Sequence, residues 1–594
     1  MPVRLAFTIF ALDYRMNKSN DMKKKIAHLI IILAAVFLTA PVYGYDTDSV
    51  TSPKREMRAV WLTTFQSLDW PRQKANTPEG RKAQQEELCR ILDRLKAVNI
   101  NTVLLQARVR GTTIYPSAIE PWDECLTGTT GKDPGYDPLE FAIRECHARG
   151  MELHAWLVTI PCFKTNAAQR NNSRSVLKTH PRLCIRYQNN WYLNPGLPET
   201  ADYLSAICRE LATNYDLDGI HFDYIRYPEN AGQFNDNATF RKYGKGRSKA
   251  EWRRENITHC VRKMYRTIKA VKPWIKVSSS PIGKYNDLSR FSSYGWNAYS
   301  AVYQEAQSWL KEGIHDMLFP MMYFQGNHFY PFALDWKENE YNKVIAPGLG
   351  IYFLSPQEKD WDLEVITREL NFIRNIGLGG QAYFRYAYLD ANHKGLYDYL
   401  KDFYYPYPAL TPVCRQPAHA APARPQNLQN LTLGEEGILS WSDGNGNHDP
   451  AAIRYNIYAS EHYPVDITKA ENLIAVNVDS CSFRYNGIYR LINGIHFAVT
   501  ATDRYGYESE PAQLTGDEKD FVAADFLPHN NQHVLLPPLS TQTEFIAILD
   551  AENRIIRTVP YSRSISTKDL ARGIYQVRTL SEGGRSYGIG YFIK

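Results

Sequence analysis

"GIHFDYIRYP", residues 219–228, sets the reading of the chain. An apolar strand carrying His221 and Asp223 on one side runs straight into Tyr224, Arg226, Tyr227 and Pro228, so polar groups stand where a buried strand ends. In a parallel sheet covered by helices, the outward positions are apolar, and polar side chains at alternating positions near the carboxyl end face the axis. That parity makes Asp223 an inward residue at the top of its strand. The same pattern recurs: short apolar runs at 57–64, 101–108, 151–158, 219–226, 275–281, 316–324, 344–352 and 379–386 alternate with amphipathic stretches such as 80–99, 199–215 and 361–377. Repeated β–α units of this kind predict a parallel sheet, and eight of them in roughly 330 residues fit a (β/α)8 TIM barrel. Parity then aims Gln106, Arg108, Glu152, His154, Trp156, His221, Asp223, Gln381, Tyr383 and Arg385 at one mouth. Active sites of this fold lie there.

The rest of the 594-residue chain is too long for one core. From Met22, "MKKKIAHLIIILAAVFLTAPVYGYD" has the layout of a signal peptide, assigned to 22–44 with Met22 as the true start. Export to the periplasm or cell surface follows as an expectation. No later run reaches 18 uninterrupted apolar residues, so the mature chain is expected to lack an integral membrane segment. After the barrel (54–410), the Pro- and Ala-rich stretch 411–425 reads as a semi-rigid linker. Period-two runs between Gly, Asn and Asp then predict a β-sandwich over 426–515 that resembles a fibronectin type III module, with Trp441 in its core. Residues 535–594 read as a small C-terminal all-β module.

A formal net charge of +6 with no Lys/Arg block in the mature part excludes a nucleic-acid arm. The nine cysteines include no CxxC pair, and His315, His328 and His393 lack ligand spacing, so no metal is expected. No dinucleotide, phosphate-loop, GxSxG or HExxH pattern stands in a supporting context, which predicts chemistry without a cofactor. Aromatic content of 13% suits a glycan partner, because flat rings cover the apolar faces of sugars. Nothing in the sequence assigns an oligomeric state.

Taken together, "EMRAVWLTT" (56–64), "LDWP" (68–71), the run from "IYPSAIEPWDECLTG" (114–128) to "HAW" (154–156), "LNPGLPE" (193–199) and "DGIHFDYIRYP" (218–228) resemble the glycosyl-hydrolase-like 10 family, whose members include a divisome-localised peptidoglycan glycosidase. The resemblance covers roughly 54–405 and implies an exported (β/α)8 hydrolase of glycans, with peptidoglycan strands as the best attested substrate class. Two departures stand out: "HAWLVTIPC" replaces the family's Asn-Pro-Tyr-Arg after the third strand, and Asn194 stands where an Asp is common.

Glycosidic cleavage generally uses one protonated and one ionised carboxyl group. Asp223 is expected to be the ionised one, its pKa kept low by Arg226, Arg108 or His221; the alternative is a structural pair with one of these arginines. Glu120, beside Trp122 on the loop after the second strand, is the candidate acid, against a plain solvated loop charge. His154 is read as binding a sugar hydroxyl or orienting Asp223, against a satisfied core histidine. Trp61, Trp156, Tyr227 and Tyr323 are stacking candidates around the mouth, and Arg385 is a candidate for binding a carboxylate or the lactyl group of muramic acid. His221, Arg226 and Arg108 join them as substrate-binding candidates. A glycosidase for another polysaccharide, or a silent glycan-binding barrel, remains as the alternative.

Overall fold

The computed structural model describes residues 51–594 except 292, 294, 416–418, 434–435, 445–452, 487–494, 514–521, 524–526, 531, 537–544, 551–553 and 581–587. The segment read as a signal peptide lies outside the described residues. Its barrel strands are β1 (Met57–Leu62), β2 (Thr102–Arg108), β3 (Glu152–Val158), β4 (Gly219–Asp223), β5 (Lys276–Ser279), β6 (Met317–Leu318), β7 and β8 (Gly380–Tyr383). β7 is one strand in two pieces, Val344–Ile345 and Gly348–Leu349, divided at Pro347, which has no N–H to give to a ladder. The first piece pairs with β6 and the second with β8, all in parallel. Gly379 N donates to Ile345 O (2.9 Å) and Ala346 N to Leu318 O (3.0 Å), so hydrogen bonds run unbroken round the ring. The barrel is TIM-like and closed, with a strand at each of the eight predicted runs.

Helices α1 (Pro78–Lys96), α2 (Pro138–His147), α3 (Pro198–Asn214), α4 (Lys249–Val271), α5 (Ala306–Glu312), α6 (Tyr330–Glu338) and α7 (Leu363–Asn375) follow the strands in turn. Their sequences carry the expected start signals. Thr77 accepts from Gly80 N ahead of Pro78 in α1, and Ser248 with Glu251 forms a capping box on α4. In α1 the buried side chains Leu88, Ile91, Leu92 and Leu95 recur at helical spacing and cover the outside of the sheet. Among the described residues, no helix is long and apolar enough to cross a membrane.

Inside the ring, Ala59, Trp61, Leu104, Trp156, Val158, Phe319, Ala346 and Ala382 pack together. Ala382 occupies the inner slot of β8, so Gln381 and Tyr383 point outward, against the expected parity. There Gln381 Nε2 donates to Tyr405 Oη, and the two tyrosine hydroxyls bond at 2.7 Å. A second correction comes from β2: its register slips between Gln106 and Arg108, which sets Arg108 opposite the outward Leu157. A bulge of this kind re-aims the following side chain, and Arg108 leaves the axis.

The floor of the barrel is a buried ionic layer. Lys276 Nζ pairs with Glu152, His154 Nε2 donates to the same carboxylate (3.1 Å), and Thr411 Oγ1 adds a hydrogen bond of 2.6 Å. Burial alone would push Glu152 up, but Lys276 and His154 hold it below the ordinary carboxylate range. Residues after 410 therefore begin as part of the floor and not as a free spacer: Thr411 and Cys414 are buried, and Cys414 N donates to Tyr505 O (3.0 Å).

Two sheets follow, antiparallel except where Val522–Ala523 pairs in parallel with Gln426–Leu433. One holds Gln426–Leu433, Glu436–Ser442 and Ser482–Asn486 with Val522–Ala523 at its edge; the other holds Leu473–Val478, Arg454–Ser460, His496–Thr502 and Ala512–Gln513. Leu439, Trp441, Tyr455, Ile457, Phe497 and Val499 fill the space between them. This sandwich sits beneath the barrel: Asn477 Nδ2 donates to Gly150 O (3.1 Å), Arg504 pairs with Asp216 (2.6 Å), and Glu508 receives Lys54 (2.7 Å). Gly150, Asp216 and Lys54 all precede barrel strands. A third β unit, with Phe545–Leu549 and Ile574–Leu580 at its centre, has its own core of Val534, Ile546, Ile548, Val577 and Phe592.

A candidate active site at the barrel mouth

Asp223 ends β4 and is 6% exposed. Three donors hold its carboxylate: Trp156 Nε1 on Oδ2 (3.1 Å), Ser280 Oγ on Oδ1 (2.9 Å) and its neighbour's amide, Tyr224 N, on Oδ1 (2.7 Å). Tyr224 takes a left-handed backbone (φ 50°), an uncommon conformation for a bulky residue, so the chain turns sharply as it leaves the strand. Burial pushes the Asp223 pKa up, and the guanidinium of Arg226 and the three donors offset this only in part. The expectation of a lowered pKa is corrected: loss of water outweighs the nearby positive charge. Arg226 is 8% exposed, its guanidinium lies over the Tyr224 ring (4.7 Å) and near the Trp296 ring (5.7 Å), and Nη1 has no hydrogen-bond partner among the described residues.

Aromatic rings wall this carboxyl group. Tyr323 stacks on Phe384 (5.4 Å), which meets Trp61 edge-on (5.9 Å), and Asp223 acts on the Tyr323 phenol. Burial first, and then Asp223, keep that phenol protonated well beyond its ordinary range. One layer down, Trp61 Nε1 donates to His221 Nε2 (3.3 Å), which fixes the tautomer so that Nδ1–H faces Ser278 Oγ (2.9 Å). Burial drives the His221 pKa far down, and His154 and His315 act in the same direction. His221 is a neutral support beneath the site and cannot lower the pKa of Asp223.

The structure thus gathers Asp223, Trp156, Trp61, His221, Tyr323 and Arg226, and it sends the other candidates elsewhere. Glu120 is 1% exposed, and both its oxygens are taken by Arg108: Nε to Oε2 and Nη2 to Oε1, each at 2.7 Å. Tyr203 on α3 donates to Oε1 as well (2.7 Å). The expected general acid Glu120 and the expected substrate-binding Arg108 are therefore one buried, outward-facing ion pair. The loop folds back through bridges Arg108 to Thr113 and Thr113 to Trp122, which returns Glu120 to the end of β2. His154 belongs to the floor. Tyr227 is fully buried under the Arg253 guanidinium (5.0 Å) and accepts from Asn256 (3.0 Å). Arg385 pairs with Asp69, whose carboxylate also takes Thr63 N (2.8 Å) and Ala387 N (2.9 Å), so it ties the β1 loop to β8. Residues that the reading missed are Ser280, Phe384 and Trp296, the last 42% exposed at the rim. "SSSP" at 278–281 held the signal for Ser280, since inward parity in β5 runs from Ser278 to Ser280.

A family model described as glycosyl hydrolase-like 10 matches residues 56–357, just over half the chain. The chain belongs to the glycosyl hydrolase-like 10 family. The match spans β1 to β7 and includes every group that touches the Asp223 carboxylate. Glycosyl hydrolase YngK of Bacillus subtilis is 31% identical over 437 residues, 70% of this chain and 84% of that relative. Glycosyl hydrolase DigH of Escherichia coli is 34% identical over 338 residues, 52% of this chain and 77% of that relative. Among solved structures, the glycoside hydrolase domain of PgaB (BpsB) from Bordetella bronchiseptica aligns over 58% of this chain and 98% of its own length, at 14% identity and a TM-score of 0.38.

Proposed function

We propose that this chain is an exported glycoside hydrolase that cleaves glycosidic bonds in a bacterial glycan, with peptidoglycan strands as the substrate and no cofactor. Family membership and the names of its relatives support the reaction class. One observation carries the mechanism: the Asp223 carboxyl group stands at the carboxyl end of an inner strand among aromatic rings, with its pKa raised by burial. A raised pKa suits a general acid, so Asp223 gives its proton to the leaving glycosidic oxygen. The order Gln426–Leu433, Glu436–Ser442, Ser482–Asn486 against Leu473–Val478, Arg454–Ser460, His496–Thr502, Ala512–Gln513 supports the fibronectin type III reading of the sandwich.

The two-carboxyl scheme needs a second oxygen, and Glu120 is locked in its pair with Arg108. Among the described residues, Trp156, Ser280 and the Tyr224 amide hydrogen-bond the Asp223 carboxylate. With Glu120 withdrawn, our reading is the substrate-assisted route known among glycosidases of N-acetylated sugars, in which the sugar itself supplies the second oxygen. The carbonyl oxygen of the sugar's own 2-acetamido group attacks the anomeric carbon as the C–O bond breaks and Asp223 protonates the departing oxygen. Water then opens the resulting oxazolinium ring and returns a proton to Asp223. The test uses peptide-free murein strands. Asp223→Asn should abolish cleavage with an unchanged circular-dichroism melt, and N-deacetylated strands should resist the native protein. Normal turnover by folded Asp223→Asn refutes the assignment; cleavage of deacetylated strands refutes the acetamido step alone.

A further inference from the structure

Beside the mouth, over the loops that follow β1, β2 and β3, lies an open cleft of about 520 Å³ that the chemistry at Asp223 does not use. Volumes of this order hold small organic ligands. Phe65 and Phe163 line it with flat apolar surface, and Arg110 and Lys164 bring positive charge. Its other charged groups are largely occupied. Lys74 Nζ donates to Ser67 Oγ (3.1 Å) and Cys125 O (2.8 Å). Asp123 accepts from Thr112 Oγ1 (2.5 Å) and Cys125 N (2.7 Å), and Glu124 from Thr130 Oγ1 (3.3 Å). Arg110 lies over the Phe65 ring (4.9 Å) and has no hydrogen-bond or ion-pair partner among the described residues.

The position of Arg110 is costly. Val109 N donates to Thr112 O (2.8 Å) and Ile114 N to Ala107 O (3.0 Å), so residues 107–114 form a hairpin with Arg110 and Gly111 at its tip. Both tip residues have positive φ, 83° and 88°, as the tightest hairpin loops require. Asn or Asp followed by Gly is the combination such loops favour, and a long side chain at the first position is a poor fit. Strained residues of this kind cluster where ligands are held. The hairpin leaves the carboxyl end of β2, at the same end of the barrel where Asp223 closes β4.

We propose that this cleft is a subsite for a carboxylate-bearing sugar unit adjoining the one cleaved, with Arg110 as its anion reader and Phe65 as the ring against which the sugar lies. The subsite rests on the glycosidase reading only for the neighbouring bond; carboxylate recognition stands or falls by itself. A planar guanidinium held over a ring keeps its outer N–H groups free for a carboxylate in the two-point geometry that arginine favours.

The experiment measures binding and cleavage separately. Calorimetry on Asp223→Asn protein compares peptide-free murein strands, which carry free lactyl carboxylates, with the same strands after chemical reduction of those carboxylates to alcohols, and with oligogalacturonate. Hydrolysis of both murein forms by the native protein runs alongside. Reduced strands should bind at least tenfold more weakly. Arg110→Asn, placed in the Asp223→Asn background, should erase that difference while melting no lower than its parent, since Asn suits the turn. Tighter binding of oligogalacturonate than of native strands assigns the subsite to uronic rather than lactyl carboxylates. Equal binding of native and reduced strands, a preference that survives Arg110→Asn, or binding of none of the three glycans overturns the proposal. Carboxylate-dependent binding without cleavage sustains the subsite and refutes the hydrolase reading.

Discussion

Trp156→Phe tests which protonation state of Asp223 does the chemistry. The substitution keeps an aromatic ring in the barrel interior and removes one thing at the carboxyl group, the Nε1–H that reaches Oδ2 at 3.1 Å. That donor favours the ionised form, so its loss must raise the pKa of Asp223 further. Hydrogen bonds to charged groups are worth about 1.5–3 kcal/mol, and one pKa unit corresponds to about 1.36 kcal/mol, giving a rise of about one to two units. A water entering beside the smaller ring brings the shift to the lower end of that range. The assay is kcat/KM across pH on one soluble glycan. If Asp223 acts as the acid, the high-pH limb moves up by about one to two units and the low-pH limb stays where it is. Ser280→Ala, which removes the donor to Oδ1, should move the same limb. Movement of the low-pH limb instead shows that Asp223 works ionised, as the sequence reading had it. No movement of either limb, with Asp223→Asn inactive, refutes the link between this carboxyl group and the titration.

Glu369 on α7 offers a test of stability: it is almost fully buried, neither carboxyl oxygen has a hydrogen-bond partner among the described residues, and burial pushes its pKa well up. A raised folded pKa means that the site is tolerated below the unfolded value near 4.5 and that stability is lost as pH rises from there through the folded pKa. Glu369→Leu should therefore raise the melting temperature at pH 8, by an amount corresponding to about 1–3 kcal/mol for an unsatisfied buried group, and the gain should shrink towards pH 4; an equal gain at both pH values refutes this. Glu120→Gln should destabilise the barrel by about 3–5 kcal/mol in denaturant melts, because it leaves the Arg108 guanidinium buried without its counter-charge. Arg108→Met with Glu120→Leu should recover most of that loss and retain glycan cleavage; a stable but inactive double variant would return Glu120 to the mechanism.

The alternation of apolar runs and amphipathic stretches was enough to read the barrel, because eight parallel strands flanked by helices impose that pattern locally. Asp223 was legible for the same reason: β4 is regular, so parity and position agree. Parity failed where something outside the strand decides which side faces in. In β2 the slip between Gln106 and Arg108 re-aims everything after it, and no residue in "LLQARVRG" announces a bulge. In β8 the polar Gln381 and Tyr383 looked inward, yet the Trp61 indole fills the axis and leaves the inner slots to small residues. Ala382 takes one, and a side chain on Gly348 would come within 2.8 Å of the same indole. The Glu120 pair was hidden in a loop whose return to β2 depends on single bridges at Thr113. The floor was hidden as well, since a Pro- and Ala-rich stretch gives no sign that Thr411 completes an ionic layer.

That floor has a consequence for how the chain can be divided. Cutting at residue 410 looks natural from composition, but it removes the Thr411 hydroxyl from Glu152 and strips away the sandwich residues that reach Gly150 and Asp216. Water would then enter a layer whose charges are matched to a dry setting. The barrel is not a self-sufficient module with an ornament attached: its lower end is finished by the sandwich that follows, so the described residues close the bottom and present Asp223 at the opposite end.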